Sequence, residues 1–165
     1  MRQEPARGVA LHAGATAVGT TRRMVLVRHG DTDWSRSGRH TGRTDVPLAA
    51  EGREQARHLG ASLSRWSFAL VLSSPLARAL ETCHLAGYGD PQLTTDLAEW
   101  DYGEYEGMTT AEVRKTHPEW TLWTGGVPGG ETAGAVGART DRVIEHAQHA
   151  EGDTAGASRF LGYET

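Results

Sequence analysis

Arg28, His29 and Gly30 stand in consecutive positions directly after the apolar run Met24-Val25-Leu26-Val27. A guanidinium beside an imidazole at a strand end suggests an anion site with a nucleophile in it, and open α/β sheets place their ligands at the carboxyl ends of strands. The same residues also fit an ordinary strand end carrying a solvated Arg–His pair, because a short motif alone has little specificity. Three further stretches carry groups that could act on an anion. Thr41 and Gly42, in a polar loop with Ser35, offer hydroxyls and backbone N–H groups, although turn residues in a surface loop read the same way. Arg78 falls in the first turn expected of a helix after Ser73-Ser74-Pro75. The helix dipole disfavours a cation there unless it shares a bound anion with the exposed N–H groups. Glu99 opens the run Glu99-Trp100-Asp101-Tyr102-Gly103-Glu104-Tyr105-Glu106-Gly107, in which carboxylates alternate with aromatic rings. A carboxyl packed against rings suits a general acid near neutrality, and an acidic loop with aromatic anchors fits as well.

The elements that must hold these groups follow from hydrophobic patterning. Met24–Val27 and Ala69–Leu72 read as short buried strands, and Gln92–Thr94 as a weaker third. Ala50–Trp66 is amphipathic, with Ala56, Leu59, Leu63 and Trp66 at helical spacing. Ser74 reads as the N-cap of the next helix and Pro75 as its first residue. Thr109 and Glu112 form a capping-box signature for a helix to His117. Trp120 and Trp123 suit a lid or plain core, and Gly125–Gly130 a flexible connector. Glu131–Ala150 is a final helix with Val136, Val143, Ile144 and Ala147 inward. Alternating strands and helices predict an α/β fold with a mainly parallel sheet.

The 165 residues suit one domain: a disordered leader over 1–23 and a folded unit over 24–165. No stretch resembles a signal-peptide core or could span a bilayer, so a cytoplasmic location is expected. A net charge of −4 argues against nucleic acid or an anionic membrane as partner. The single cysteine, Cys83, excludes an intramolecular disulfide and any multi-cysteine metal site, and its apolar helical setting suggests a buried thiol. His146 and His149 lack an evident third ligand, so no metal site is expected there. Composition leaves the oligomeric state open, a homodimer included.

Arg28-His29-Gly30, Arg39-His40-Thr41-Gly42, Ser73-Ser74-Pro75-Leu76-Ala77-Arg78, Glu99 before Tyr102-Gly103, and Pro128-Gly129-Gly130-Glu131 occur in that order. As a set they resemble the histidine phosphatase superfamily, in its phosphoglycerate-mutase-like branch, over residues 24 to about 151. The resemblance implies a three-layer α/β/α sandwich and phosphomonoester hydrolysis. His29 matches the nucleophile that becomes a phosphohistidine. Arg28 and Arg78 match the arginines that hold the phosphoryl group, and Glu99 matches the acid that protonates the leaving oxygen and later activates water. Ser35, Thr41 and Gly42 align with weaker phosphate-pocket positions. The implied partner is a phosphorylated small molecule, and no metal or organic cofactor is implied. Within the family the acidic run looks most like acid and sugar-phosphate phosphatases. A phosphoglycerate mutase fits less well, since residues 107–130 carry only Arg114 and Lys115 as basic residues.

The family also has a second catalytic histidine, in a His-Gly pair ending a late buried strand. After Ala150 the sequence shows neither an apolar strand nor a histidine, as if a segment were deleted between about Gly152 and Thr154. Two expectations follow. The sheet should lack the strand next to the one that carries His29. The protein should be either a phosphatase of impaired activity or a catalytically silent phosphate-binding protein.

Overall fold

The computed structural model describes residues 23–150 and the backbone of 154–157. The expected leader lies, but for Arg23, outside the described residues. So do residues 151–153, at the expected deletion, and 158–165.

Strand β1 (Met24–Val27) leads into a loop and the single turn α1 (Asp33–Arg36). Thr32 and Ser35 close that turn reciprocally: the Ser35 N–H donates to Thr32 Oγ1 at 3.0 Å and the Thr32 N–H to Ser35 Oγ at 2.9 Å. Helix α2 (Ala50–Leu63) buries Gly52, Ala56, Leu59 and Leu63 at the spacing the sequence shows. It stops before Trp66, whose N–H closes a tighter turn on the Leu63 carbonyl. Strand β2 (Leu70–Ser73) is followed by α3 (Ala77–Leu85) and the two-residue strand β3 (Gln92–Leu93). Two 3₁₀ turns, Thr95–Leu97 and Gly103–Tyr105, flank the Glu99 loop. Helix α4 (Thr110–Arg114) has the expected Thr109–Glu112 capping box but ends early, as Lys115 and Thr116 tighten onto Glu112 and Val113. A short turn α5 (Leu122–Gly125) precedes the long α6 (Ala133–His149), which starts from the Thr132 cap. Strand β4 (Thr154–Ala157) closes the described chain.

The sheet order is β1-β4-β2-β3 and every pairing is parallel. This corrects the expectation that the sheet lacks a strand beside β1. Thr154-Ala155-Gly156-Ala157 fills that central position, in register with Met24–Val27 on one side and Leu70–Ser73 on the other. Hydrophobic patterning is blind to it because Thr-Ala-Gly-Ala has no apolar run, whereas parallel pairing needs only backbone N–H and C=O groups.

Side-chain alternation builds the layers. Val25 and Val27 of β1 pack with Leu59, Leu63, Cys83 and Ala86 of α2 and the α3 region, and Val71 of β2 joins them. Leu70 and Leu72 point the other way, onto Leu97 and Val143 of α6. Helices thus cover both faces, in the three-layer α/β arrangement the motifs imply. Each of the valines and leucines among them contributes about 1.5–3 kcal/mol when fully buried. Met24 and Leu26 are only half-buried, so β1 is fully covered on one face rather than both. A separate aromatic cluster, Trp100, Tyr102, Tyr105, Val113 and Trp120, lies beneath the Glu99 loop.

Candidate active site

His29, Arg78 and Glu99 converge on one pocket, completed by Ser74, Leu76, Ala79 and Leu97. The fold explains the convergence. His29 follows β1, Ser74 follows β2, Arg78 is the second residue of α3, and Glu99 follows β3 and its 3₁₀ turn. All therefore leave the carboxyl edge of one parallel sheet.

His29 is buried, and its Nδ1 lies 2.7 Å from the carbonyl oxygen of Gly30. A carbonyl only accepts, so Nδ1 carries the proton, and in the neutral ring Nε2 holds the lone pair. Gly30 is required by close approach rather than by a positive φ: a Cβ there would lie 2.2 Å from the Gly52 carbonyl oxygen. The Gly30 N–H donates to Thr82 Oγ1 at 3.1 Å, and that hydroxyl donates to the Arg78 carbonyl at 2.7 Å. The nucleophile loop and the arginine helix are thereby tied together.

Arg78 is 1% exposed. Its Nη1 donates to the Thr44 carbonyl at 2.9 Å, and its Nη2 to the carbonyls of Thr41 and Gly42 at 3.2 and 2.7 Å. Ser74 is not the cap of α3. That position is Leu76, without a side-chain cap, while Ser74 Oγ accepts from the Leu76 N–H at 3.3 Å. An Asp45 carboxylate oxygen takes the Ala77 N–H at 2.8 Å. Glu99 is 5% exposed, and one of its oxygens accepts from the Trp100 N–H at 2.8 Å.

The remaining expected pocket residues stand elsewhere. Arg28 is exposed and does not line this pocket. Ser35 serves the cap of α1. Thr41 is buried, with its hydroxyl donating to the Arg39 carbonyl at 3.0 Å. The Gly42 N–H donates to Glu106 Oε1 at 2.8 Å, so its acceptor is a carboxylate of this chain. Trp120 is core, its indole N–H on the Gly126 carbonyl at 2.7 Å, whereas Trp123 is exposed and set edge-on to Trp100. Cys83 is buried, and burial pushes its thiol up to about 11. Among the described residues no group of three or more His, Cys, Asp or Glu side chains could hold a metal ion, and no helix is long and apolar enough to cross a membrane.

Sequence reasoning missed the brace behind Glu99. Arg139 of α6, nearly buried, meets Glu131 in a two-pronged pair at 2.9 and 3.0 Å and donates to the carbonyls of Asp96 and Ala98 at 2.9 and 2.6 Å. Glu131 Oε2 accepts the Asp101 N–H at 3.0 Å. The backbone is thus gripped on both sides of Glu99. Only an i,i+8 spacing on one helix and its lead-in marks this pair in the sequence. Burial pushes the Glu131 carboxyl up, but the bonds from Arg139 and Asp101 and the charges of Arg139 and Arg43 outweigh it, holding the carboxyl below its ordinary 4.5. The Arg142 hydrogen bond likewise holds Asp96 below 3.8, against a smaller rise from burial. A carboxyl depressed in the folded chain adds stability that is present above its ordinary value and lost as pH falls through the folded one. The melting temperature is therefore expected to fall as pH drops below about 4.5, and Glu131→Gln is expected to flatten that fall in thermal melts across pH 2–7.

A family model described as histidine phosphatase superfamily (branch 1) matches residues 24–157. An acid phosphatase of Mycobacterium tuberculosis is 45% identical over 124 residues, which cover 74% of this chain and 61% of that protein. A sedoheptulose 1,7-bisphosphatase of Saccharomyces cerevisiae is 37% identical over 153 residues, covering 78% and 56%. The chain thus spans little more than half the length of these curated relatives. The solved structure of a Mycobacterium tuberculosis open reading frame superposes with a TM-score of 0.79 at 42% identity, covering 84% of this chain and 74% of that one.

Proposed function

The chain belongs to the histidine phosphatase superfamily, branch 1, and from that premise we propose that it hydrolyses phosphomonoesters of small molecules or sugars through a phosphohistidine at His29. The observation that carries the proposal is the His29 ring, held through Nδ1 by the Gly30 carbonyl in a pocket shared with Arg78 and Glu99. Nε2 attacks phosphorus in line with the leaving oxygen, forming the N–P bond as the P–O bond breaks. The proton stays on Nδ1, which donates it to the Gly30 carbonyl and so fixes the ring. Arg78 offsets the charge spread over the equatorial oxygens. Glu99 gives its proton to the departing alkoxide, then takes one from the water that cleaves the N–P bond and releases phosphate.

Phosphatase chemistry is favoured over mutase chemistry by Arg114, one of the two basic residues of 107–130, whose Nε is spent on the Trp120 carbonyl at 3.0 Å. A cytoplasmic setting belongs to the same reading. A reduced rate does too: β4 lies beside β1, where the resemblance implies a strand ending in His-Gly, and the sequence after Ala157 reads Ser158-Arg159. One phosphate donor fewer costs about 10²–10³ in rate.

The test is turnover of p-nitrophenyl phosphate and sugar phosphates, with ³²P label trapped in alkali, where phosphohistidine survives. Label on the His29 peptide supports the proposal. Turnover without label overturns the covalent route, and neither label nor turnover would favour a silent phosphate-binding protein. Glu99→Gln is expected to slow alkyl phosphates by about 10²-fold. It should slow p-nitrophenyl phosphate far less, because nitrophenolate leaves without a proton. Equal losses on both substrates of kcat/KM, which reports only the step that expels the leaving group, would remove Glu99 from the acid role.

A further inference from the structure

Glu106 lies in the same acidic run as Glu99 but lines no part of the pocket. Its Oε1 accepts the N–H groups of Gly42 at 2.8 Å, Arg43 at 3.0 Å and Tyr102 at 3.3 Å, and its Oε2 accepts that of Thr44 at 3.4 Å. The opposite ends of two of these peptide groups face Arg78. The Thr41 carbonyl and the Gly42 N–H belong to one peptide unit, and the Gly42 carbonyl and the Arg43 N–H to the next. Both carbonyls accept from Arg78 Nη2. Two successive peptide dipoles are therefore clamped between a guanidinium at their negative ends and a carboxylate at their positive ends. Arg78 and Gly42 are buried and Glu106 is half-buried; hydrogen bonds in series polarise one another, so the carboxylate strengthens the hold of the carbonyls on the arginine. Gly42 makes the clamp possible: a Cβ there would lie 2.3 Å from Glu106 Oε1 and 2.1 Å from the Trp100 carbonyl oxygen.

We propose that Glu106 is the positioning residue of the phosphate pocket, setting the Arg78 guanidinium through the peptide units of residues 41–43. The inference rests on the phosphatase reading for its consequence, since Arg78 is then the group that receives the phosphoryl oxygens. Glu106 touches no reacting atom. Its effect passes through Arg78, so it bears on the affinity for the phosphate moiety whatever the rest of the substrate is. The Tyr102 N–H contact links the same carboxylate to the loop that begins at Glu99.

The experiment is titration of inorganic phosphate into the full chain and its Glu106→Ala and Glu106→Gln variants by calorimetry. It is paired with NMR measurement of hydrogen exchange at the Arg78 guanidinium. Glu106→Ala is expected to weaken phosphate binding about tenfold, the size of one lost charge-assisted hydrogen bond. Glu106→Gln, which keeps one acceptor oxygen, should fall between it and the parent. Exchange at Arg78 should quicken in the same order. A merely structural role would lower the melting temperature and leave both readouts of the folded protein unchanged, and that result would overturn the proposal. If Glu106→Ala does not fold, Glu106→Gln decides by the same two readouts. If the parent itself binds no phosphate, the phosphatase reading fails, while Arg78 exchange in the variants still decides the positioning role.

Discussion

The His29→Gln chain is expected to turn over p-nitrophenyl phosphate about 10⁴-fold more slowly than the parent, or less, and to trap no phosphate label. Glutamine is close to histidine in reach, its amide overlying Nε2 rather than the Nδ1 that donates to the Gly30 carbonyl at 2.7 Å. It therefore preserves the packing of a side chain that is 8% exposed. What it lacks is a nitrogen lone pair able to bond to phosphorus, so the covalent route closes while Arg78 and Glu99 remain in place. Removing a nucleophile from a co-operating set commonly costs about as much as removing the whole set, which is why the loss is put so high. The remainder measures direct attack by water on a bound ester. His29→Gly with added imidazole provides the converse test, because free imidazole in the vacated space restores a nitrogen nucleophile without restoring the chain connection. Stopped assays with and without imidazole read this directly. A His29→Gln rate within tenfold of the parent would mean that water, not His29, attacks phosphorus.

The site's three converging groups were legible in the sequence because each had an unusual reason to be where it is. His29 follows an apolar strand, Arg78 sits in a helix turn that disfavours cations, and Glu99 lies among aromatic rings. Those are conflicts between local preference and position, and such conflicts mark sites. Ser35 and Gly42 were misleading for the opposite reason. A hydroxyl three residues past a threonine serves a capping box as readily as a phosphate, and Ser35 does the former. A glycine N–H in a loop serves any anion, and at Gly42 the anion is Glu106. Sequence shows the donor but not which acceptor folds onto it. Ser74 and Pro75 read as a helix start, yet the helix begins two residues after Pro75, with Asp45 from a distant loop supplying the acceptor. The sheet divides the same way. β1 and β2 announce themselves by β-branched apolar runs, whereas β4 is defined by its two neighbours and carries no pattern of its own.

Arg139→Ala is expected to cost about 3–5 kcal/mol of folding stability, the usual consequence of removing one partner of a buried ion pair. The size follows from what is left behind. Glu131 loses both prongs of its guanidinium partner at 2.9 and 3.0 Å, and the carbonyls of Asp96 and Ala98 lose their donor. Both side chains of the pair are largely shielded, at 9% and 17% exposure, so water replaces little of this. At roughly 2–4 °C per kcal/mol for a chain of this size, the melting temperature should fall by about 6–20 °C. Removing both charges with Arg139→Met and Glu131→Gln together should recover part of the loss, since no carboxylate then remains buried without its counter-ion. Urea unfolding of the single and double variants, with the slope compared between them, measures the coupling. The same brace grips the backbone at Ala98 and Asp101, one residue before Glu99 and two after it. Loss of Arg139 should therefore slow alkyl phosphates, which need the Glu99 proton, more than p-nitrophenyl phosphate, which does not. A folded Arg139→Ala chain that loses stability but shows the same ratio of the two rates as the parent would confine the brace to the fold. A changed ratio means that the stability held in this ion pair is also what keeps the acid aimed at the leaving oxygen.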